Sequence, residues 1–378
     1  MPRRSRMVDR AAIGAKLKHR TVPVGPLAAA VVSLVVRLPL LPSRCLRLLF
    51  SPPLPMVTPL FPSVFYRQPR YALCLLLILA PTLYFVLPIR LAPTMTPLRL
   101  PPNQLSDTGY RLAQSEAIYQ KMLKDRDQLI ARYGPHPSDL VMFPPNKSPW
   151  PAYTVWDYFP AAFNCPHEVR RVGMMGDGGK WVCGLSALIE KEDCVIYSVG
   201  LNRDCSFETD VLINTNHCRI YGYDYSVKGY SSRIPFSVRH RTEFHPYILG
   251  GVNRPASGKD AAMYTLKSLM EMNGHQYIDI LKVDIEGWEF EAFTDTLKFF
   301  AKNGQPLPFG QLQLEIHVWD KNDKFEEFLK WWEGLEEAGL RPFWTEPNLV
   351  YVNYAGSRKA ELAEYSFLNI KGDNAFIR

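Results

Sequence analysis

The chain has 378 residues and a formal net charge of +7, from 44 Lys+Arg against 37 Asp+Glu. A basic excess spread over one fold would suit a nucleic-acid partner, but residues 1–70 hold twelve Lys/Arg and one acid, whereas residues 71–378 hold 32 Lys/Arg and 36 Asp/Glu. The excess therefore sits on the first segment alone, which excludes a basic nucleic-acid-binding domain as the body of the protein. Proline divides in a similar way, with 24 of 32 in residues 1–160. Proline lacks an N–H and breaks helix interiors, so a packed domain is expected only in the remainder, which is long enough to bury a full core.

Residues 1–70 read as a basic, Pro-rich cytosolic segment. Its apolar run 27–50 is interrupted by Arg37, Arg44 and Arg47, and Met56 is an alternative start. Residues 71–89 carry no charge. At about 1.5 Å per residue, a helix of that length nearly spans a hydrocarbon core of about 30 Å, and a membrane helix tolerates Pro81 and Pro88. The expectation is a transmembrane anchor with the lipid bilayer as partner. Arg and Lys are denser on its N-terminal side, so the positive-inside rule places the N-terminus in the cytosol. That makes a single-pass type II membrane protein of the secretory pathway, in the Golgi or ER. Residues 90–163 read as a stem. Leu112, Ile118, Met122, Leu129 and Ile130 recur at helical spacing over 106–133, a stop follows at Gly134-Pro135, and a Pro/Trp-rich linker completes it.

Residues 164–378 have a globular composition. Four apolar runs, 194–199, 219–223, 278–283 and 311–316, read as buried strands ending in small or polar residues. Helical segments at 206–215, 261–273, 288–302 and 324–339 separate or follow them. The alternation predicts an α/β doubly wound sheet, whose ligand lies at the carboxyl ends of the strands.

Two spacings give that crevice chemistry. Gly200 ends the first strand and Asp224 the second, as in folds where a glycine turn admits the ligand and a later carboxylate takes a ribose diol. Alone, the pair fits a turn glycine and an exposed acid equally well. A full G-x-G-x-x-G is missing, which favours a ligand with one ribose and no pyrophosphate, such as S-adenosylmethionine. In LKVDIEG, Lys282, Asp284 and Glu286 alternate and would share one face of a strand; charges on an apolar strand need partners or a cavity. His317 ends the fourth strand and is a candidate general base for a substrate hydroxyl, or else a hydrogen-bonded structural histidine. Over 171–184 two strands flank a Gly-rich turn whose Asp177 can face the ligand.

Taken in order, CP…RVG…GDGGKWVC, VIYSVGLN…SFE, RIYGYD, LKVDIEGWEFEAF, QLQLEIH and EYSFLN resemble the methyltransferase-like domain family with membrane-tethered animal and fungal members, related to FkbM-type methyltransferases. The resemblance covers roughly 164–370. It implies an S-adenosylmethionine-dependent methyltransferase on a seven-stranded Rossmann-like sheet. By that resemblance Gly200 and its flanking loop, with Asn202, line the methionine moiety and Asp224 holds the ribose hydroxyls. Asp284 and Glu286 stand near the methyl donor or acceptor. The first motif, YSVGLNRD, has one glycine where methyltransferases usually have two or three. FkbM kinship favours a hydroxyl acceptor on a small molecule or a glycan.

Methyl transfer from a sulfonium needs no metal, and the sequence lacks the C-x-x-C of a zinc site. Cys165 and Cys183 bracket the hairpin and can bridge in an oxidising lumen. Cys194 is expected as a small buried apolar residue, and the domain's odd cysteine count leaves at least one thiol free or paired between chains. A glycosylation sequon begins at Asn146. Two rival readings share this layout: a type II glycosyltransferase, whose Asp-x-Asp metal motif Asp284-Ile-Glu286 approximates, and a scaffold that kept the fold without catalysis.

Overall fold

The computed structural model describes residues 107–145, 152–319, 322–354 and 359–378. The expected anchor at 71–89, the run 27–50 and the sequon at Asn146 lie outside the described residues. Among the described residues no helix is long and apolar enough to cross a membrane.

The strands in chain order are β1 (Val169–Val172), β2 (Lys180–Cys183), β3 (Val195–Val199), β4 (Arg219–Tyr223), β5 (Thr242–His245), β6 (Ile248–Leu249), β7 (Met263–Tyr264), β8 (Ile278–Val283), β9 (Phe309–His317), β10 (Leu340–Pro347) and β11 (Leu362–Asn369). The helices are α1 (Thr108–Tyr133), α2 (Ser206–Asn214), α3 (Phe236–Arg239), α4 (Leu266–Asn273), α5 (Glu289–Lys302), α6 (Phe325–Glu337) and α7 (Leu349–Tyr354). The four strands expected from apolar runs are β3, β4, β8 and β9. Every residue of β8 and β9 is buried, as helices on both faces of a parallel sheet require.

One sheet has the order β10-β11-β9-β8-β3-β4-β5. From β3 the chain builds outward through β4 and β5, then crosses back to lay β8 and β9 on the other side. These five run parallel. β11 then enters antiparallel between β9 and β10. The order reverses between β3 and β8, and a crevice opens at such a switch point. β1 and β2 form the expected antiparallel hairpin, docked by the buried Gln311, whose side chain exchanges hydrogen bonds with the Cys183 backbone at 3.0 and 2.5 Å.

The helix expected over 261–273 begins later. Thr265 caps α4 by accepting from the Ser268 N–H, and Met263–Tyr264 pairs with Ile248–Leu249 instead. The stem helix also differs from expectation, because α1 packs into the compact unit formed by Thr96–Arg378. Its buried stripe is Ser115, Tyr119, Met122, Arg126 and Ile130, while Ile118 faces outward. Arg126 lies on the buried face because partners meet it there. Arg126 donates two bonds to Glu336, at 2.9 and 2.8 Å, and the Trp332 indole donates to the same carboxylate at 2.7 Å. Arg341 grips Glu116 at 2.8 and 2.9 Å.

Cys165 and Cys183 are bridged, as the hairpin suggested. Cys194 is not an unpaired buried residue but is bridged to Cys218. The two residues precede adjacent parallel strands, where Val195 lies opposite Arg219, so pairing β3 with β4 brings the cysteines together. Cys205 is a buried free thiol.

Candidate active site

β3 runs into Gly200, which adopts φ +78°. A Cβ there would lie 1.8 Å from the Asp284 carbonyl oxygen, so only glycine lets the two strand-end turns approach this closely. The Gly200 N–H donates to the Tyr223 carbonyl at 2.9 Å, and the Asp284 N–H donates to the Val199 carbonyl at 3.1 Å. Asn202, also at positive φ, turns its backbone N–H to Asp224 Oδ2 at 2.7 Å. The other Asp224 oxygen accepts from the Ser226 N–H and hydroxyl, each at 2.7 Å. Gly200, Asn202 and Asp224 are thus brought together. Beside them opens a cavity of about 330 Å³ lined in part by Asn202, Arg203, Ser226, Lys228 and Ser231. Asp224 is fixed by its own loops, yet carboxylate oxygens accept more than one hydrogen bond each. A diol reaching from this cavity fits that arrangement.

β8 stops at Val283, so the alternation expected of Lys282, Asp284 and Glu286 ends with it. Lys282 turns to the Gly200 carbonyl at 3.2 Å and to Glu208 at 3.7 Å. Asp284 and Glu286 both approach His317, each 3.8 Å from Nε2. Glu286 and Gly287 adopt φ of +57° and +95°, which folds the turn back over Trp319. His317 is fully buried, with Nδ1 2.8 Å from Glu289 Oε1. Burial alone would lower its pKa, but Glu289, with Glu315 and Asp284 nearby, raises it to about 10. The ring therefore keeps its proton at neutral pH, which suits an orienting role better than proton abstraction.

Further acids crowd the same strand ends. Glu315, on β9, and Glu364, on β11, lie opposite each other in register. Lys180 of β2 pairs with Glu364. Asn348 donates to Asp177 at 2.9 Å and to Glu315 at 2.8 Å, so the Gly-rich turn reaches this cluster. Burial, together with Asp284 and Glu364, pushes the Glu315 carboxyl well above the usual range, and burial raises Glu364 as well. Glu289, Glu315, Glu364, Lys180 and Asn348 were not foreseen as site residues. All but Asn348 stand inside motifs quoted above, and a carboxylate in the wholly buried run of β9 was the available signal.

A family profile described as a methyltransferase domain matches residues 112–363, and the chain belongs to that family. No curated protein sequence matches it. Among solved structures it is similar to the fibrillarin pre-rRNA processing protein of Methanococcus jannaschii, at 13% identity over 49% of this chain and 70% of that one, TM-score 0.28. A protein described as an rRNA methylase from Clostridium thermocellum aligns at 8% identity over 50% and 92%, TM-score 0.29. An O-methyltransferase family 2 protein from Planctomyces limnophilus, in complex with apigenin, aligns at 13% identity over 47% and 50%, TM-score 0.25. The mostly parallel seven-stranded sheet agrees with membership of a methyltransferase family.

Proposed function

We propose that the protein is an S-adenosylmethionine-dependent methyltransferase acting on a hydroxyl oxygen of a small-molecule or glycan acceptor, tethered to a bilayer through residues 71–89. The observation that carries this reading is the Gly200 turn, packed on the Asp284 backbone beside the Asn202–Asp224 contact and opening on the adjacent cavity. When bound, the cofactor supplies an electrophilic sulfonium methyl group. Gly200 and Asn202 would hold its methionine part and Asp224 its ribose hydroxyls, leaving Asp284 and Glu286 toward the acceptor. Alignment and exclusion of water then supply most of the acceleration. The resemblance to FkbM-type enzymes supports an oxygen acceptor. Two disulfides support a type II orientation, with the domain in an oxidising lumen of the secretory pathway, Golgi or ER.

Isothermal titration of the full chain with S-adenosylhomocysteine tests the proposal. The expected result is saturable binding, weakened at least tenfold, or about 1.4 kcal/mol, in Asp224→Asn. Binding of a nucleotide-diphosphate sugar in its place would assign the fold to glycosyl transfer. Absence of any cofactor binding would leave a scaffold. Comparative mass profiling of metabolites and glycans with and without the protein then identifies the acceptor by a lost methyl increment.

A further inference from the structure

We infer that the cavity between the turns after β3 and β4 binds a tetrahedral oxyanion, a phosphate or sulfate ester carried by the acceptor, through Arg203 and Lys228. The cavity measures about 330 Å³, and among the described residues its lining includes both cations and no acid. Ligand pockets run from about 300 to 1,000 Å³, so this one has room for a small ligand or one end of a larger one. Arg203 follows the first strand and Lys228 the second, and β3 and β4 are parallel neighbours. Both side chains therefore stand at carboxyl ends of the sheet, where ligands of such folds bind.

The walls are held together by bonds that cross between the two turns. Asn202 and Cys205 flank Arg203, and each is tied to the β4 side. The Asn202 N–H donates to Asp224 at 2.7 Å, and the Ser231 N–H donates to Cys205 Sγ at 3.3 Å. The Tyr230 hydroxyl lies 3.2 Å from the Ile220 carbonyl and 3.1 Å from the Glu243 carbonyl. The loop that bears Ser226 and Lys228 is thus fixed at Asp224 and again at Tyr230 and Ser231. A cavity shaped in advance saves much of the ordering cost of binding.

Charge decides the ligand. Among the described residues no carboxylate pairs with Arg203 or Lys228. The acids nearest in sequence are engaged elsewhere: Asp204 accepts the Ser206 N–H at 2.8 Å, and the two Asp224 oxygens accept from Asn202 and Ser226. Residues 71–378 carry more acids than bases, 36 against 32, so a concave site lined by cations alone runs against its surroundings and draws in anions. The cofactor does not account for it, because the carboxylate of S-adenosylmethionine is outweighed by an ammonium and a sulfonium. A guanidinium fork matches two oxygens of a phosphate, and an ammonium adds a point charge. Asn202 and Ser231 can add neutral donors. That the anion belongs to a methyl acceptor rests on the proposed function; the binding of the anion does not.

The test is the phosphorus magnetic resonance line width of inorganic phosphate titrated with the full chain, free of any S-adenosyl compound. The expected result is saturable broadening, reversed by sulfate and not by acetate at equal ionic strength. Binding should weaken roughly tenfold in each of Arg203→Gln and Lys228→Gln and stay unchanged in Lys298→Gln, which lies on α5. Arg203 and Lys228 are exposed on loops, so both variants should keep the wild-type circular dichroism. Saturating phosphate should leave the affinity for S-adenosylhomocysteine unchanged in titration calorimetry. Absence of saturable broadening overturns the inference, as does wild-type affinity in either variant or equal displacement by acetate. Competition between phosphate and S-adenosylhomocysteine also overturns it, by assigning the cations to the cofactor's carboxylate. Phosphate binding in a chain that ignores S-adenosylhomocysteine would sink the proposed function and leave the anion site standing.

Discussion

Two charged clusters among the described residues differ in balance. Where α1 meets α6 and β10, Arg126 meets Glu336, Arg341 of β10 meets Glu116, and Trp332 completes the hydrogen bonding. Each charge there has an opposite. At the strand ends carboxylates instead press on one another: Glu315 and Glu364 lie opposite each other in register, and both carboxyls are raised above their ordinary range by burial and by neighbouring acids. A buried cluster that neutralises itself holds one helix to another. One in which carboxylates crowd each other costs the fold stability, as sites for ligands do.

The comparison breaks most sharply at Glu336. Glu336→Ala strands Arg126 and should cost about 3–5 kcal/mol in denaturant unfolding, whereas exchanging both partners for apolar residues of similar volume should recover most of it. The next effect falls between the clusters. Gly200→Ala forces a side chain into positive φ against the Asp284 carbonyl, with an expected loss of about 1–3 kcal/mol together with S-adenosylhomocysteine binding measured by titration.

At the strand ends the sign should reverse. Glu315→Gln removes a buried carboxylate crowded by like charges and should raise the unfolding free energy, measured in denaturant, by about 0.5–2 kcal/mol. If it destabilises as Glu336→Ala does, the contrast between the clusters is wrong.

The smallest effect is in pH. The hydrogen bond from Arg341 holds the Glu116 carboxyl below its ordinary range. Its contribution is therefore present above the unfolded glutamate value of about 4.3 and is lost as pH falls through the lowered folded value. Glu116→Gln should flatten that acid limb by less than about 1 kcal/mol, read from thermal midpoints between acid and neutral pH.

How much of this was legible beforehand follows from where each partner lies. β3, β4, β8 and β9 announce themselves because parallel strands covered on both faces are rich in apolar residues. β11 does not, since Glu364 and Ser366 interrupt its apolar run and its slot depends on strands formed earlier. Met122 and Ile130 marked α1 as amphipathic, but its buried stripe passes through Arg126, whose acid lies 210 residues away. In the site, Gly200, Asp224, Asp284 and His317 were visible as strand ends. Glu315 and Glu364 become neighbours only through the register of β9 with β11, which no local pattern encodes. Cys194 and Cys218 are joined for a similar reason, across two strands.

The antiparallel entry of β11 also sets an order of events during synthesis. The strand that fills an interior slot between β9 and β10 is the last of the described strands to leave the ribosome. Until it arrives, β9 presents an open edge, with Leu312, Leu314 and Ile316 uncovered, and β10 has no neighbour to pair with, a state that invites wrong pairing and chaperone capture. The same strand carries Glu364, the partner of Lys180. A nascent chain halted before residue 362 therefore lacks both the strand that joins β10 to β9 and the Glu364 partner of Lys180, so the sheet and the candidate site are completed by one and the same segment.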